Sequence, residues 1–291
     1  MPLAYPGCVG EPVVESVAAR PRPSLHPLVS SYTGYRIEGA PAGVHRGLPS
    51  RHLTFIVTLD GTVDVESMPD PHQPPGSFTA LGGGLHSTPA LIRHNGNQHG
   101  IQAALTPLGA RTLFGLPAAE LATTVVDLGV LLGPVASELV DRLRSAPTWS
   151  ERFLQLDAVL ARIAVDRGKP DPEVGWAWQR LTTSHGGLGV GALAAEVGWS
   201  RRHLGERFRR EYGLTPKEAA RVIRFDTARH LLQAPGRPGL ADVAARCGYY
   251  DQAHLTREWR ELAGCPPTTW LAEEFPSVQD AEPVDVASCY P

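Results

Sequence analysis

Between Leu193 and Pro267 this chain repeats a single unit, and the repeat limits its fold more than any other feature. The first copy reads Leu193-Ala194-Ala195-Glu196-Val197-Gly198, followed by Leu204, Phe208, Gly213 and Pro216. The second reads Val243-Ala244-Ala245-Arg246-Cys247-Gly248, followed by Leu255, Trp259, Gly264 and Pro267. The offset is 50 residues up to the glycine and 51 after it, so the second copy has one extra residue in its turn. Each copy has the pattern of a helix-turn-helix: a short Ala-rich helix, a glycine turn and a second, amphipathic helix. A solenoid would need three or more copies to bury a continuous core. Two copies predict a paired device.

The second helix of each copy divides into faces. Ser200 is a good N-cap, and Leu204, Phe208 and Tyr212 recur every four residues as a core stripe. The opposite face carries Arg201, Arg202, Gly205, Glu206 and Arg209. In the second copy Asp251 caps, Leu255, Trp259 and Leu262 face inward, and Gln252, Ala253, Thr256, Arg257 and Arg260 face out. Arg can fork onto guanine, Gln can bond adenine, and Ala or a Thr methyl can touch thymine in a major groove. On a single helix such a face would read as solvated charge; two matched copies favour double-stranded DNA as the partner.

Thr215-Pro216-Lys217-Glu218 has the form of a capping box with Pro at the first helical position, predicting a helix that runs to about Ala234. At about 1.5 Å per residue this connecting rod is about 30 Å long, close to the roughly 34 Å between major-groove faces on one side of B-DNA. One chain could then place two recognition helices in successive grooves without dimerising.

The charge pattern agrees. From Trp176 to Trp270 there are 14 Lys+Arg and 9 Asp+Glu, whereas the remainder holds 13 basic and 21 acidic residues. The overall charge of −3 thus conceals a basic C-terminal module, which points to a polyanion partner for that part only. No apolar run approaches the roughly 18 residues of a membrane span, and the N-terminus lacks a basic segment followed by an apolar core. The expected compartment is the cytoplasm. Cys8, Cys247, Cys265 and Cys289 show no CxxC spacing, and Cys247 and Cys265 occupy apolar slots of the repeat.

The organisation predicted is α+β. Residues 1–24 are Pro-rich and read as a loose arm; 25–132 favour short strands in a small barrel-like or sandwich-like domain. Asp60-Gly61 and Asn95-Gly96-Asn97 lie between strand-like runs and predict hairpins, and Gly82-Gly83-Gly84 reads as a turn. Residues 133–169 read as helices, with Val135, Leu139 and Leu143 on one face, and Thr148-Trp149-Ser150-Glu151 opening a second helix. Their apolar positions serve either a dimer interface or packing against the barrel. Pro170-Asp171-Pro172 marks the linker to an all-α domain over 170–275, in which a long helix joins the two units. Residues 276–291 read as a polar, disordered tail.

Residues from about Glu173 to Glu273 resemble the DNA-binding domain of AraC/XylS-type transcription regulators. The resemblance rests on Leu193 to Pro216, on Ile223-Arg224 with Arg229, Leu231 and Leu232, and above all on the stretch from Val243 through Gly248-Tyr249, Asp251-Gln252, His254-Leu255, Arg257 and Trp259 to Gly264 and Pro266-Pro267. It implies base-facing positions for Arg202, Gly205, Glu206, Gln252, Ala253, Thr256 and Arg257. Gly205 and Glu206 stand where many relatives carry longer or basic side chains, and Leu271 replaces the usual Arg after the last aromatic. The N-terminal segment, through Gly109 to Pro117, is more distantly similar to the sensor domains of such regulators, which implies a small-molecule effector. RNA polymerase and a second copy of the chain are further candidate partners.

His45, His52, His72, His86, His94 and His99 crowd the N-terminal part, but no HxH or HxxxH pair stands beside a carboxylate. No metal or cofactor is expected. The rival from another class is a DNA-repair methyltransferase or other enzyme carrying the same DNA-binding domain. That chemistry needs an activated thiolate, and Cys8 stands alone. A regulator whose N-terminal domain only dimerises is the third reading.

Overall fold

The computed structural model describes residues 12–166, 168–234, 236, 238–274 and 283–284. The N-terminal part contains strands β1 (Val13–Ala19), β2 (Val29–Glu38), β3 (Gly43–Gly47), β4 (Leu53–Asp60), β5 (Val63–Ser67), β6 (Gly76–Phe78), β7 (Ala80–Gly83), β8 (Ala90–His94), β9 (Gln98–Leu105) and β10 (Val125–Asp127). Helices α1 (Pro107–Phe114), α2 (Leu128–Leu132), α3 (Pro134–Ser145) and α4 (Trp149–Ile163) accompany them. The C-terminal part is helical: α5 (Pro172–Thr183), α6 (Val190–Glu196), α7 (Arg201–Tyr212), α8 (Pro216–Gln233), α9 (Leu240–Arg246), α10 (Gln252–Ala263) and α11 (Pro267–Glu273). A two-residue strand β11 (Pro283–Val284) lies parallel to β1 within the expected tail; the rest of 275–291 falls outside the described residues.

The strands form two sheets, ordered β10-β7-β4-β9-β2-β1-β11 and β3-β8-β5-β6. Among the described residues neither closes on itself, so the domain is two facing sheets rather than a barrel. The large sheet alternates its faces. Leu53, Phe55 and Val57 of β4 join the core beneath the helices, while Thr54, Ile56 and Thr58 point to the space between the sheets. Both predicted hairpins are corrected. β4 pairs with β7 and β9, β5 pairs with β6 and β8, and β8 and β9 likewise lie in different sheets. The Asp60-Gly61 and Asn95-Gly96 turns therefore carry the chain from one sheet to the other.

Gly82 and Gly83 are strand residues, not a turn, and all three glycines of that run are buried. A Cβ on Gly84 would stand 1.7 Å from the Leu121 carbonyl oxygen, so the run is where another backbone comes close. The expected arm is also corrected from residue 12 on: β1 pairs along seven residues with β2. The chain after it is pinned where the Arg22 N–H donates to Asp157 (3.0 Å), a fully buried carboxylate that also accepts from the Tyr32 hydroxyl (2.7 Å). Residues 1–11 of that arm are outside the described residues.

α4 opens with a complete capping box at Thr148 and Glu151. Its Phe153, Leu156 and Leu160, with Leu139 and Leu143 of α3, are buried against the large sheet, and Phe153 stacks on Tyr32 at 5.9 Å. These stripes pack within their own chain. The same apolar cluster continues through Val174, Leu181, Leu204 and Phe225 into the helical part.

Candidate functional site: nucleic-acid interface and adjoining cavity

Local chemistry builds both second helices alike. The Ser200 hydroxyl accepts the His203 N–H (3.2 Å) at the start of α7, and the Asp251 carboxylate accepts the His254 N–H (2.7 Å) at the start of α10. The turn before each passes through a left-handed glycine, Gly198 (φ +70°) and Gly248 (φ +74°), a conformation in which a Cβ would be strained. Leu204, Phe208 and Tyr212 are buried on α7, and Leu255, Trp259 and Leu262 on α10. Between them α8 runs 18 residues from a complete capping box at Thr215 and Glu218, a rod of about 27 Å at about 1.5 Å per residue. Phe225 of α8 meets Trp259 with ring centroids 4.6 Å apart.

The outer faces stay open. Arg201, Arg202, Glu206 and Arg209 are exposed on α7, with Gly205 half-buried beside them; Gln252, Ala253, Arg257 and Arg260 are exposed on α10, with Thr256 half-buried. Arg202 bonds Glu206 one turn on (2.9 Å), and their side chains are 90% and 61% exposed. Exposed i,i+4 pairs contribute little, so this one yields easily to a stronger acceptor. Among the described residues Arg209, Arg257 and Arg260 have no carboxylate within ion-pair reach. Their guanidiniums are available to phosphate or base edges. The extra turn residue of the second copy is Tyr250, which is 92% exposed directly before the α10 cap.

Above this module a cavity of about 680 Å³ lies between the two sheets. Ile37, Ile56, Val65, Leu81 and Ile92 give it apolar walls, and His45, His86, His94 and His99 reach it from β3, the segment after β7, β8 and β9. One wall comes from the far end of the chain: Trp270, Glu273 and Glu274, on or just after α11. Trp270 packs on Trp259 of α10 (5.3 Å between centroids), so the wall of the cavity and α10 share one aromatic cluster.

Ion pairs tie the two parts together around that wall. Arg46 donates to Glu273 (2.9 Å), and Arg51 donates to Asp226 (3.1 Å), a carboxylate 1% exposed that also pairs with Arg229 (3.0 Å). Burial works against the Asp226 charge, but Arg229, His230 and Arg51 outweigh it and hold its pKa down at about 2. Farther off, Arg111 of α1 forks onto Glu211 at the end of α7.

A helix-turn-helix domain family matches residues 193–273. This chain carries a helix-turn-helix domain. Over 63 residues it is 36% identical to an uncharacterized HTH-type transcriptional regulator, YbfI, of Bacillus subtilis, covering 22% of each chain. Over 124 residues it is 27% identical to the HTH-type transcriptional activator RhaR of Klebsiella pneumoniae, covering 43% of this chain and 38% of the relative. The matches thus span from about a fifth to about two fifths of these regulators. The fold extends further. ToxT of Vibrio cholerae, in a crystal structure with (E)-4-(8-methylnaphthalen-1-yl)but-3-enoic acid, superposes with a TM-score of 0.53 at 12% identity, covering 89% of this chain and 98% of that one. A second ToxT structure, with an unsaturated fatty acid, gives 0.51 at 9% identity, covering 89% and 94%.

The helix-turn-helix domain brings together the outward residues expected from sequence, five on α7 and five on α10, from the first turn of each helix to Arg209 and Arg260 in the last. Cys247 and Cys265 are buried in it. Among the described residues no helix is long and apolar enough to cross a membrane, and no three His, Cys, Asp or Glu are grouped to hold a metal. Sequence reasoning missed the part played by α11. Nothing local marks Glu273 and Glu274 as cavity residues, because their partners Arg46 and His45 lie more than 200 positions away.

Proposed function

We propose that this chain is a sequence-specific regulator of transcription whose α7 and α10 enter successive major grooves of one operator, under control of a small molecule held in the cavity between its sheets. One observation carries the second half of this reading: α11 both walls the cavity and packs on α10 through Trp270 and Trp259. A ligand pressing on that wall presses on the helix that reads DNA. The cavity's size falls within the roughly 300–1,000 Å³ of small-molecule sites. The ligand-bound ToxT structures support it as relatives in fold.

On the DNA side, Gln252, Thr256 and Arg257 would read bases from α10, with Ala253 against a thymine methyl. On α7, Arg202 and Glu206 would act together, the carboxylate accepting from a cytosine amino group once Arg202 turns to the duplex. Arg201, Arg209 and Arg260 would contact phosphates and set the register. The test selects bound sequences from random DNA with the full chain, then titrates variants on the selected site and on a scrambled one at several salt concentrations. Arg257→Ala should weaken the selected site by about 1–3 kcal/mol and relax one or two base pairs. Arg209→Ala should weaken both DNAs alike and lower the salt slope by about one. Equal loss on both DNAs for Arg257→Ala would remove it from base reading.

A further inference from the structure

The charged groups around the cavity are unevenly matched, and the imbalance points to the chemistry of what it holds. Four carboxylates line it (Asp60, Asp64, Glu273 and Glu274) against two guanidiniums, Arg46 and Arg93, and no lysine. Most of these are already engaged. Arg46 is bound to Glu273, Arg93 to Glu66, and Asp60 to His99 (2.7 Å), while Asp64 accepts from the Thr62 hydroxyl (2.8 Å). Both guanidiniums are therefore paired with carboxylates, Arg46 more firmly than the exposed Arg93. An anionic ligand would have to break an ion pair to find a cation.

Glu274 is different. Its side chain is only 13% exposed, and its ion-pair contact is the His45 ring at 3.4 Å. Burial and the Arg229 charge lower the His45 pKa to about 4, so this neighbour is neutral near pH 7 and does not compensate a carboxylate. Among the described residues no Lys or Arg lies within ion-pair distance of Glu274, and the Arg229 guanidinium is committed to Asp226. Burial raises the Glu274 pKa to about 7, outweighing the opposing pull of the Trp270 indole and of the Arg229 and Arg46 charges. A protonated nitrogen placed there would gain a charge-assisted hydrogen bond in a water-poor site, the strong kind. The rest of such a molecule would lie on the Ile56, Val65, Leu81 and Ile92 walls.

We propose that the cavity takes a ligand with an apolar body and one basic nitrogen, the nitrogen held by Glu274 at the α11 wall. This rests on the reading of the cavity as an effector site and narrows it to a class of ligand. The acids bound in the ToxT structures mark the opposite chemistry, so charge is the property on which the two cavities would diverge.

The test uses the full chain and three probes that share one apolar body: naphthylethylamine, naphthylethanol and naphthylacetic acid, each titrated by calorimetry at neutral pH. The amine should bind at least about tenfold tighter than the alcohol or the acid. Glu274→Gln should erase the amine's advantage and leave the alcohol unchanged, with a thermal melt showing that the variant is folded. The wild-type ranking decides the ligand class even if that variant fails to fold. If the acid binds as tightly as the amine, or if the amine keeps its advantage in folded Glu274→Gln, this proposal is overturned. An Ile56→Trp variant that blocks the acid would then still uphold the cavity as an effector site. If none of the three probes binds, both readings fall.

Discussion

Trp259 is the residue whose loss the structure prices most sharply. It is fully buried on the inner face of α10, with its ring against Phe225 of the connecting rod and Trp270 of α11. Trp259→Ala removes a whole indole from a site where three helices converge, and neither neighbouring ring can follow without leaving its own packing. The expected cost is about 3–5 kcal/mol, a large part of the roughly 5–15 kcal/mol that holds a typical protein together. Trp259→Phe is the control. It keeps most of the ring and leaves a small void, on the order of 1 kcal/mol at roughly 24 cal/mol per Å³ of cavity. It also removes an indole N–H that is buried without a hydrogen-bond partner among the described residues, which returns a comparable amount. Phe should therefore stay within about 1.5 kcal/mol of the natural protein. Urea unfolding followed by far-UV circular dichroism measures both, and DNA titrations corrected for folded fraction show whether binding falls only through unfolding. The reasoning fails if Ala costs less than about 1 kcal/mol, or if Phe costs as much as Ala.

Three other outcomes follow from the same structure. A fragment spanning Asp171 to Ser277 is expected to fold alone and bind DNA with a steep salt dependence; an unfolded circular dichroism spectrum, or binding indifferent to salt, would refute the domain boundary at Pro170-Asp171-Pro172. Asp226→Ala removes the buried carboxylate that pairs with Arg229 and Arg51, and should cost about 3–5 kcal/mol in the full chain, measured by chemical denaturation. Acid should weaken the fold in two windows. Burial lowers the His52 pKa to about 4, so its stabilisation, complete above the unfolded value of 6.5, is lost as pH falls toward 4; Asp226, held at about 2, loses its share only between 3.8 and about 2. His45 and His86, each lowered to about 4 by burial, share the first window, so His52→Gln should make it shallower and leave the second as it was; a first window of unchanged depth would contradict the burial of His52.

The helical half was legible because its signals are local. Caps at Ser200, Thr215 and Asp251, glycines at the turns and apolar residues one turn apart all act within a few residues of where they stand, and each does so here. The β half hid its pairing for the converse reason. A turn residue such as Gly61 or Asn95 fixes how the chain bends, not which strand it meets next, and both bends lead into the other sheet. Gly84 looked like turn chemistry because glycine serves two purposes, a reversal of the chain or close approach by a neighbour, and only the contact with Leu121 distinguishes them. β1 was obscured by the prolines on either side of it, although Val13 and Val14 continue its strand-forming run. The cavity wall was beyond reach, since no spacing rule connects His45 with Glu274.

The double membership of α11 has a thermodynamic corollary. When one helix borders both a small-molecule site and a DNA-reading helix, the factor by which the small molecule changes affinity for DNA must equal the factor by which DNA changes affinity for the small molecule. On the proposed function, operator DNA is itself an effector of the cavity. A dissociation constant measured on free protein would then describe the bulk pool, while the gene would answer to the different constant of the few molecules seated on its promoter.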